Sequence, residues 1–88
     1  MFEWDENKNQ INIEKHGVSF DIAKKVFDDP DRLTLLDEEH SQSENRLFCI
    51  GKVDDGIITV RFVIRKGIIR IIGAGYWRKG KERYEKRD

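Results

Sequence analysis

The sequence has few of the residues that build disulfides, metal centres and membrane spans. Its 88 residues include one cysteine, one proline and two histidines. A lone cysteine cannot form an internal disulfide, and the two histidines and the cysteine lack the spacing of a metal site. Apolar runs are too short for a membrane span, and no secretory signal is visible at the N-terminus. These absences predict a small cytoplasmic protein without a metal or other cofactor.

Charged residues are abundant but unevenly distributed along the chain. Residues 1–44 carry 12 acidic and 5 basic side chains, a net charge of −7, whereas residues 45–88 carry 12 basic and 5 acidic ones, a net charge of +7. A basic half is typical of proteins that bind polyanions, and the acidic half would then cover it or meet a basic partner. On charge alone, a bipolar surface without a ligand is an equally good interpretation.

The beginning of the chain predicts a helix. Asp5 is a suitable N-cap, and Gly17 is a typical residue just beyond a helix C-terminus, so the helix should end near His16. Ile11 is expected on its buried side. Residues 2–4 form either an edge strand or an apolar contact onto this helix. The length of the chain predicts one domain over residues 1–88.

A second helix should begin after Ser19 and end at Asp28-Asp29-Pro30, where the apolar period changes from helical spacing to two. Turn signals at Asp55-Gly56 and Lys66-Gly67 separate β-rich segments, and Arg78–Arg87 predicts a last helix. The predicted strands are Leu33–Leu36, Arg46–Val53, Ile57–Arg65 and Ile68–Ala74. The fold class is therefore α+β: two N-terminal helices, a four-stranded antiparallel meander sheet and a C-terminal helix, with the helices on one face.

The two turns determine which side chains share a face of the sheet. A turn at Lys66-Gly67 places Arg65 opposite Ile68, Val63 opposite Arg70 and Arg61 opposite Ile72, and a turn at Asp55-Gly56 places Lys52 opposite Thr59. A longer second turn would bury cations and is disfavoured. One face then carries five cations and no acid: Arg46, Lys52, Arg61, Arg65 and Arg70. Because like charges repel across strands, this pattern favours a phosphate-binding surface over an ordinary solvated face.

Further candidate residues flank this face. Two aromatic residues and three cations follow the last strand, namely Tyr76, Trp77, Arg78, Lys79 and Lys81. Such side chains stack unpaired RNA bases and hold the backbone, although Trp77 packed on the last helix is an alternative. His40 and Glu44 lie in the loop before Arg46 and are candidates for proton transfer, with a solvated loop histidine as the alternative for His40. His16 is most simply a helix cap.

Seven segments in order resemble the BrnT family of bacterial type II toxins, also called DUF497. The segments are Phe2-Glu3-Trp4-Asp5-Glu6, Lys15-His16-Gly17-Val18-Ser19-Phe20, Val26-Phe27-Asp28-Asp29-Pro30, His40-Ser41-x-x-Glu44-x-Arg46, Ile50-Gly51, Arg70-Ile71-Ile72 and Glu82-Arg83-Tyr84-Glu85. The resemblance covers nearly the whole chain. It implies a RelE-like fold, ribonuclease activity that arrests growth, and neutralisation by a BrnA-type antitoxin with a ribbon-helix-helix domain.

The resemblance also implies that operator DNA is reached only through the antitoxin, and it admits a dimer within the complex. RelE-like chemistry cleaves RNA by attack of a 2′-hydroxyl and needs no protein nucleophile. From the cationic face we expect Arg61, Arg65 and Arg70 to contact phosphate, with Arg61 and Arg65 catalytic. Many relatives have Ser-Ala-Arg where this chain has Gly73-Ala74-Gly75. The alternative function is therefore a catalytically impaired member that binds antitoxin or RNA, or acts as a corepressor.

Overall fold

The computed structural model describes residues 1–87, with five β-strands and three α-helices. In chain order these are β1 (Phe2–Glu3), α1 (Glu6–His16), α2 (Phe20–Ala23), β2 (Leu33–Leu36), β3 (Leu47–Val53), β4 (Gly56–Arg65), β5 (Ile68–Gly75) and α3 (Arg78–Lys86). Short 3-10 turns cover Lys24–Asp28 and Glu38–His40. The strands form one sheet in the order β1-β5-β4-β3-β2, antiparallel except for β1 against β5. The predicted α+β class is confirmed, with three differences in detail.

The first difference is a fifth strand at the sheet edge. Phe2 lies opposite Ile69 in the parallel pairing of β1 with β5, so the edge strand is the interpretation of residues 2–4 that the structure supports. A two-residue strand has few hydrogen bonds of its own. It is held by aromatic packing, because the Phe2 ring lies 5.2 Å from that of Phe27, between ring centroids. The prediction of four antiparallel strands is therefore wrong in number and in direction at this edge.

The second difference is the length of the second helix. The Ser19 hydroxyl caps it as predicted by accepting from the Ile22 N–H at 3.1 Å, but the α-helical part ends at Ala23 and a 3-10 turn follows. This turn lies on Gly51 of β3, where an added Cβ would come within 2.9 Å of Cγ1 of Val26. The bare backbone of Gly51 lets the turn approach closely and bury Val26 completely.

The first helix is capped as predicted but buries different residues. Asp5 accepts the N–H of Asn7 at 2.8 Å, and Gly17 ends the helix with a left-handed φ of 69°. Ile11 is 50% exposed, so the prediction that it lies on the buried side is wrong. The buried residues of α1 are instead Asn9 and Asn12.

Asn12 is buried because it completes the free edge of β5. β1 pairs only with Ile69 and Arg70 in the described part of the chain, so the backbone of Ala74 has no strand beside it. The Asn12 amide donates to the carbonyls of Ala74 at 2.9 Å and Val18 at 2.8 Å, and it accepts the Ala74 N–H at 3.2 Å. One side chain thus replaces a missing strand neighbour and fixes α1 beside the sheet.

The third difference is the position of α3. The core lies on one face of the sheet, under α2 and the turn that follows it: Val18, Phe20, Ala23, Val26, Cys49, Ile58, Val60, Phe62, Ile71 and Ala74. α3 lies on the other face, where Gly80 packs so closely on Thr59 that an added Cβ would collide with its hydroxyl. The prediction that all helices share one face is therefore wrong. The part of this second face that α3 leaves open carries the arginines.

Tyr84 attaches the far end of α3 to the rest of the fold. Its hydroxyl donates to a carboxylate oxygen of Asp29 at 2.5 Å, and this carboxylate also accepts the N–H groups of Lys52 at 2.7 Å and Asp31 at 2.8 Å. The hydrogen bond to Asp29 raises the pKa of Tyr84 to about 12. Burial acts to raise the pKa of Asp29, but the three hydrogen bonds outweigh it and the pKa falls below its usual value.

Replacing Tyr84 by phenylalanine is expected to lower the free energy of unfolding by about 1–2 kcal/mol at pH 7, because a partly exposed hydrogen bond to a carboxylate is lost. The raised pKa of Tyr84 means that this contribution is complete below pH 10 and is lost as the pH rises toward 12. The lowered pKa of Asp29 means that it is also lost on acidification below about pH 4. Urea denaturation of both proteins at pH 7, near pH 12 and below about pH 4 measures the stability difference and its loss at each extreme.

The matched control is Tyr76→Phe. Tyr76 is 57% exposed, and its hydroxyl has no hydrogen bond within residues 1–87, so its removal should leave stability unchanged. Equal stability of Tyr84→Phe and wild type at pH 7 would show that the bond to Asp29 does not hold α3.

Candidate functional site

The hairpin of β4 and β5 has the predicted register near its turn. Lys66 and Gly67 both have positive φ, 54° and 77°, as a tight two-residue hairpin turn requires. Arg65 lies opposite Ile68, as expected from that turn, and Val63 lies opposite Arg70. Arg65 and Arg70 therefore project from the same face of the sheet.

A bulge in β5 changes the pairing further along. Arg61 lies opposite Gly73 rather than the predicted Ile72, because the register shifts between Arg61 and Phe62. The extra residue places a glycine beside the arginine. Because Gly73 has no side chain, the Arg61 side chain lies directly against the backbone of β5.

The turn between β3 and β4 lies one residue earlier than predicted, at Asp54-Asp55. Asp54 adopts a φ of 54°, which aspartate tolerates better than most residues. Lys52 consequently lies opposite Ile57 rather than Thr59. The pairing changes by two positions, an even number, so the side chains of β3 keep their predicted faces.

These registers create a cleft of about 230 Å³ on the open part of the second face. We refer to it as the cationic cleft; its lining residues are Lys8, Glu44, Arg46, Arg61, Val63, Arg65, Arg70 and Ile72. Four of the five predicted cations thus meet in one concave surface, joined by Lys8 from α1. Five cations and one carboxylate form a surface suited to a polyanion.

Two arginines of the cleft are paired with carboxylates of the same chain, so the prediction of a face without acids is wrong. The Glu44 carboxylate accepts from Nη2 of Arg65 at 2.7 Å and from Nε at 3.0 Å, and Glu3 accepts from Nη1 of Arg70 at 3.2 Å. The hydrogen bond from Arg65 lowers the pKa of Glu44, and the same bond raises the pKa of Arg65. Glu44 is therefore a carboxylate at neutral pH.

Arg61 is held without a carboxylate. Its guanidinium lies 5.6 Å from the centre of the Trp77 ring and so close to Gly73 that an added Cβ would stand 2.6 Å from Nη2. Within residues 1–87 it forms no ion pair, and its buried Nε has no hydrogen-bond partner. The contact with Trp77 and the bare backbone of Gly73 thus orient a cation whose charge no carboxylate of residues 1–87 neutralises.

Trp77 connects this arginine to the end of α1. Its ring covers Gly75, where an added Cβ would lie 3.0–3.2 Å from three ring atoms. The His16 ring packs against the Trp77 ring with 5.2 Å between centroids and an interplanar angle of 67°. Gly73 and Gly75 therefore leave the space that the Arg61–Trp77–His16 cluster occupies.

A second concave surface of about 750 Å³ begins at Trp77, and we refer to it as the aromatic groove. Its lining residues are Lys52, Asp55, Gly56, Ile57, Tyr76, Trp77, Arg78, Lys81, Tyr84 and Glu85. Tyr76 and Arg78 are exposed there. Because Trp77 also contacts Arg61 of the cationic cleft, the two surfaces meet at this tryptophan.

Two predicted site residues lie outside both surfaces. His40 occupies the 3-10 turn after β2, and its Nδ1 lies 2.9 Å from a carboxylate oxygen of the largely buried Asp37. Lys79 projects from α3 toward a separate depression beside Leu33. The structure therefore brings Glu44 to the arginines but not His40. In residues 1–87, no three His, Cys, Asp or Glu side chains are grouped to hold a metal ion.

Comparison with protein-family models shows which family this chain belongs to. A model of the ribonuclease toxin BrnT of type II toxin–antitoxin systems matches residues 4–81. The chain belongs to the BrnT family. A search of the curated proteins found no match. Among residues 1–87, none of the helices has the length and apolar character needed to cross a bilayer.

Membership of the BrnT family confirms the resemblance found in the sequence and makes this chain a member of a family of ribonuclease toxins that act with an antitoxin. Sequence reasoning nevertheless missed Lys8 in the cleft, the carboxylate of Glu3 and the contact of His16 with Trp77. One signal was available: Lys8, Asn12 and His16 are spaced by four along α1 and therefore share a side of that helix. Only the pairing of Asn12 with β5 shows what that side faces.

Proposed function

We propose that this BrnT-family chain is a ribonuclease toxin that cleaves RNA by attack of a ribose 2′-hydroxyl on the adjacent phosphate and needs no metal. The observation that carries the proposal is the cationic cleft, in which Arg61 is oriented by Trp77 and Gly73 and has no carboxylate partner within residues 1–87. In this reaction the protein positions the RNA, stabilises negative charge on the phosphorane and transfers protons.

The residues of the cleft divide between these tasks. Arg61 and Arg65 contact the scissile phosphate; Arg65 uses Nε and Nη2 for Glu44 and keeps Nη1 for a phosphate oxygen. The Glu44 carboxylate takes the proton of the 2′-hydroxyl as the new bond to phosphorus forms. Glu44 is ionised at neutral pH and can therefore accept this proton.

The remaining cations hold the RNA chain on either side of the scissile bond. Arg46 and Arg70 bind the phosphate backbone in the cationic cleft, and Lys52, Arg78 and Lys81 bind it in the aromatic groove. Lys79 faces a separate depression and has no role in this scheme. Tyr76 and Trp77 stack unpaired bases. Because the two surfaces meet at Trp77, a single strand can occupy both.

The partner we propose is a BrnA-type antitoxin with a ribbon-helix-helix domain, through which the complex binds operator DNA in the cytoplasm. The family description supports an antitoxin partner, since type II toxins act in toxin–antitoxin pairs. A gene for a short ribbon-helix-helix protein beside the gene for this chain would support this identity.

The alternative, a non-catalytic member that binds RNA or antitoxin, is favoured by the carboxylates that pair with Arg65 and Arg70. Two cations that are already neutralised add less to a transition state than free ones. Against it, Gly73 and Gly75 make room for Arg61 and Trp77 at the positions where many relatives have serine and arginine.

The test is cleavage of a single-stranded RNA by the isolated protein in EDTA, with identification of the product ends. We expect a 2′,3′-cyclic phosphate and a 5′-hydroxyl, because the attacking oxygen belongs to the RNA itself. In cells without antitoxin, induced wild type should arrest growth and Arg61→Ala/Arg65→Ala should not. Intact RNA and equal growth of both strains would contradict the toxin proposal, and salt-dependent RNA binding without cleavage would favour the alternative.

A further inference from the structure

The proposed reaction requires a proton donor, and in the cationic cleft the groups with a proton to give are ammonium and guanidinium cations, which as a class hold it tightly near neutral pH. When the 2′-oxygen bonds to phosphorus, the bond from phosphorus to the 5′-oxygen breaks and its electron pair stays on that oxygen. An alkoxide is a poor leaving group, so a positioned acid that gives it a proton accelerates the step. Glu44 cannot be this acid, because its lowered pKa leaves it ionised and it receives the proton of the 2′-hydroxyl.

Two other proton-bearing side chains, Tyr84 and His40, are already engaged by carboxylates. Tyr84 lines the aromatic groove, but its hydroxyl proton is donated to Asp29. His40 is hydrogen-bonded to the carboxylate of Asp37. Of the two histidines in the chain, this leaves His16, an imidazole of the type that exchanges protons readily near neutral pH.

The geometry of His16 fits this task. It is exposed in the last turn of α1, and its ring has no hydrogen bond within residues 1–87. Its ring lies 5.2 Å from the centre of the Trp77 ring, and the Arg61 guanidinium lies 5.6 Å from the same point. His16 lines neither the cationic cleft nor the aromatic groove, but it contacts the indole that lines the groove and that Arg61 of the cleft also contacts.

The position of His16 is also fixed. One turn before it, Asn12 is hydrogen-bonded to both backbone groups of Ala74, so the end of α1 cannot drift away from β5. Gly75 lets the Trp77 ring lie directly against β5, which positions the ring that His16 contacts. Preorganisation of this kind is what a catalytic acid needs.

Resting on the proposed ribonuclease function, we propose that His16 is the general acid of the reaction and that Trp77 holds it beside the leaving 5′-oxygen. The protonated imidazole gives its proton to this oxygen as the phosphorus–oxygen bond breaks, and water later restores the proton. Trp77 is a positioning residue in this scheme.

The experiment compares two RNA oligonucleotides that differ only at the scissile bond, one with the normal 5′-oxygen and one with a bridging 5′-sulfur. A thiolate leaves without a proton, so a missing acid slows only the oxygen substrate. We expect His16→Gln to cleave the oxygen substrate about 10²–10⁴ times more slowly than wild type and the sulfur substrate within about threefold of it. Binding of a 2′-O-methyl oligonucleotide should not change.

Lys15→Gln is the matched control, because Lys15 is the exposed neighbour of His16 on α1 and lines neither surface. It should cleave both substrates at the wild-type rate. His16→Asn serves as a second variant if His16→Gln is unstable, with thermal denaturation as the check of folding.

Each other result has a distinct meaning. Cleavage of the oxygen substrate by His16→Gln within about threefold of wild type would overturn the role of His16 while leaving the ribonuclease function intact. Equal slowing of both substrates would assign His16 to positioning and overturn its role as an acid. Wild-type protein that cleaves neither substrate would overturn the ribonuclease function and this inference together.

Discussion

Asn12→Ala is expected to lower the free energy of unfolding by about 3–5 kcal/mol. The Asn12 side chain is hydrogen-bonded to the N–H and carbonyl of Ala74 and to the carbonyl of Val18, at a buried site. Alanine leaves all three backbone groups without a partner, and each buried unsatisfied group costs about 1–3 kcal/mol. Because a domain of this size is stable by only about 5–15 kcal/mol, urea denaturation should show a much lower midpoint.

Two controls separate the edge of β5 from general effects on α1. Asn7→Ala changes an exposed asparagine of the same helix whose side chain forms no hydrogen bond within residues 1–87, so stability should change by less than about 0.5 kcal/mol. Hydrogen exchange at the Ala74 amide should accelerate in Asn12→Ala and not in Asn7→Ala. A loss below about 1 kcal/mol for Asn12→Ala would show that water satisfies this edge as well as asparagine does.

Local signals predicted the elements of this fold because each depends on residues close in sequence. The helix caps depend on hydrogen bonds to residues a few positions away. As predicted, Asp5 and Ser19 begin their helices and Gly17 ends the first one. Lys66-Gly67 sets its hairpin register by backbone conformation alone. The sequence predicts the β3–β4 turn one residue too late, at Asp55-Gly56, because glycine is common in such turns. The strand pairing then differs by two positions, so each β3 side chain stays on its predicted face.

Contacts between distant residues decided what the sequence could not show. The pairing of Glu3 with Arg70 depends on β1 lying beside β5. The bond from Asn12 to Ala74 depends on β1 ending after two residues, which leaves part of the β5 edge free. A helix that buries asparagines has no apolar stripe, so Ile11 was the natural but wrong choice for its buried side.

In the candidate site too, strand alternation was predictable from the sequence and contacts between distant residues were not. Alternation along β3, β4 and β5 placed Arg46, Arg61, Arg65 and Arg70 on one face, and they line one cleft. The carboxylate of Glu44 comes from a loop with no periodic pattern, so its bond to Arg65 could not be derived from strand alternation. Contact of His16 with Trp77 joins the ends of two elements far apart in sequence.

Arg61→Ala is expected to slow RNA cleavage by about 10²–10³-fold, the effect of removing one preorganised donor from a developing negative charge. The Nε of Arg61 is buried and unpartnered, and the side chain forms no ion pair with a carboxylate of residues 1–87. Its charge is therefore screened little by solvent or by an acidic neighbour. Arg61→Lys should recover only part of the rate, because an ammonium lacks the planar fork and stacks less well on Trp77. Single-turnover cleavage of a fixed oligonucleotide measures all three proteins.

Gly73→Ala tests whether position, and not charge alone, makes Arg61 effective. The added Cβ would stand 2.6 Å from Nη2, so the guanidinium must move off β5 while its charge remains. We expect a slower cleavage rate in Gly73→Ala and, because the two changes act on one side chain, no further loss when it is combined with Arg61→Ala. Arg83→Ala is the control: this exposed arginine of α3 lines neither the cationic cleft nor the aromatic groove, so cleavage should continue at the wild-type rate. Additive losses in the double variant would mean that Gly73 acts independently of Arg61, and the stacked arrangement would then not be the source of catalysis.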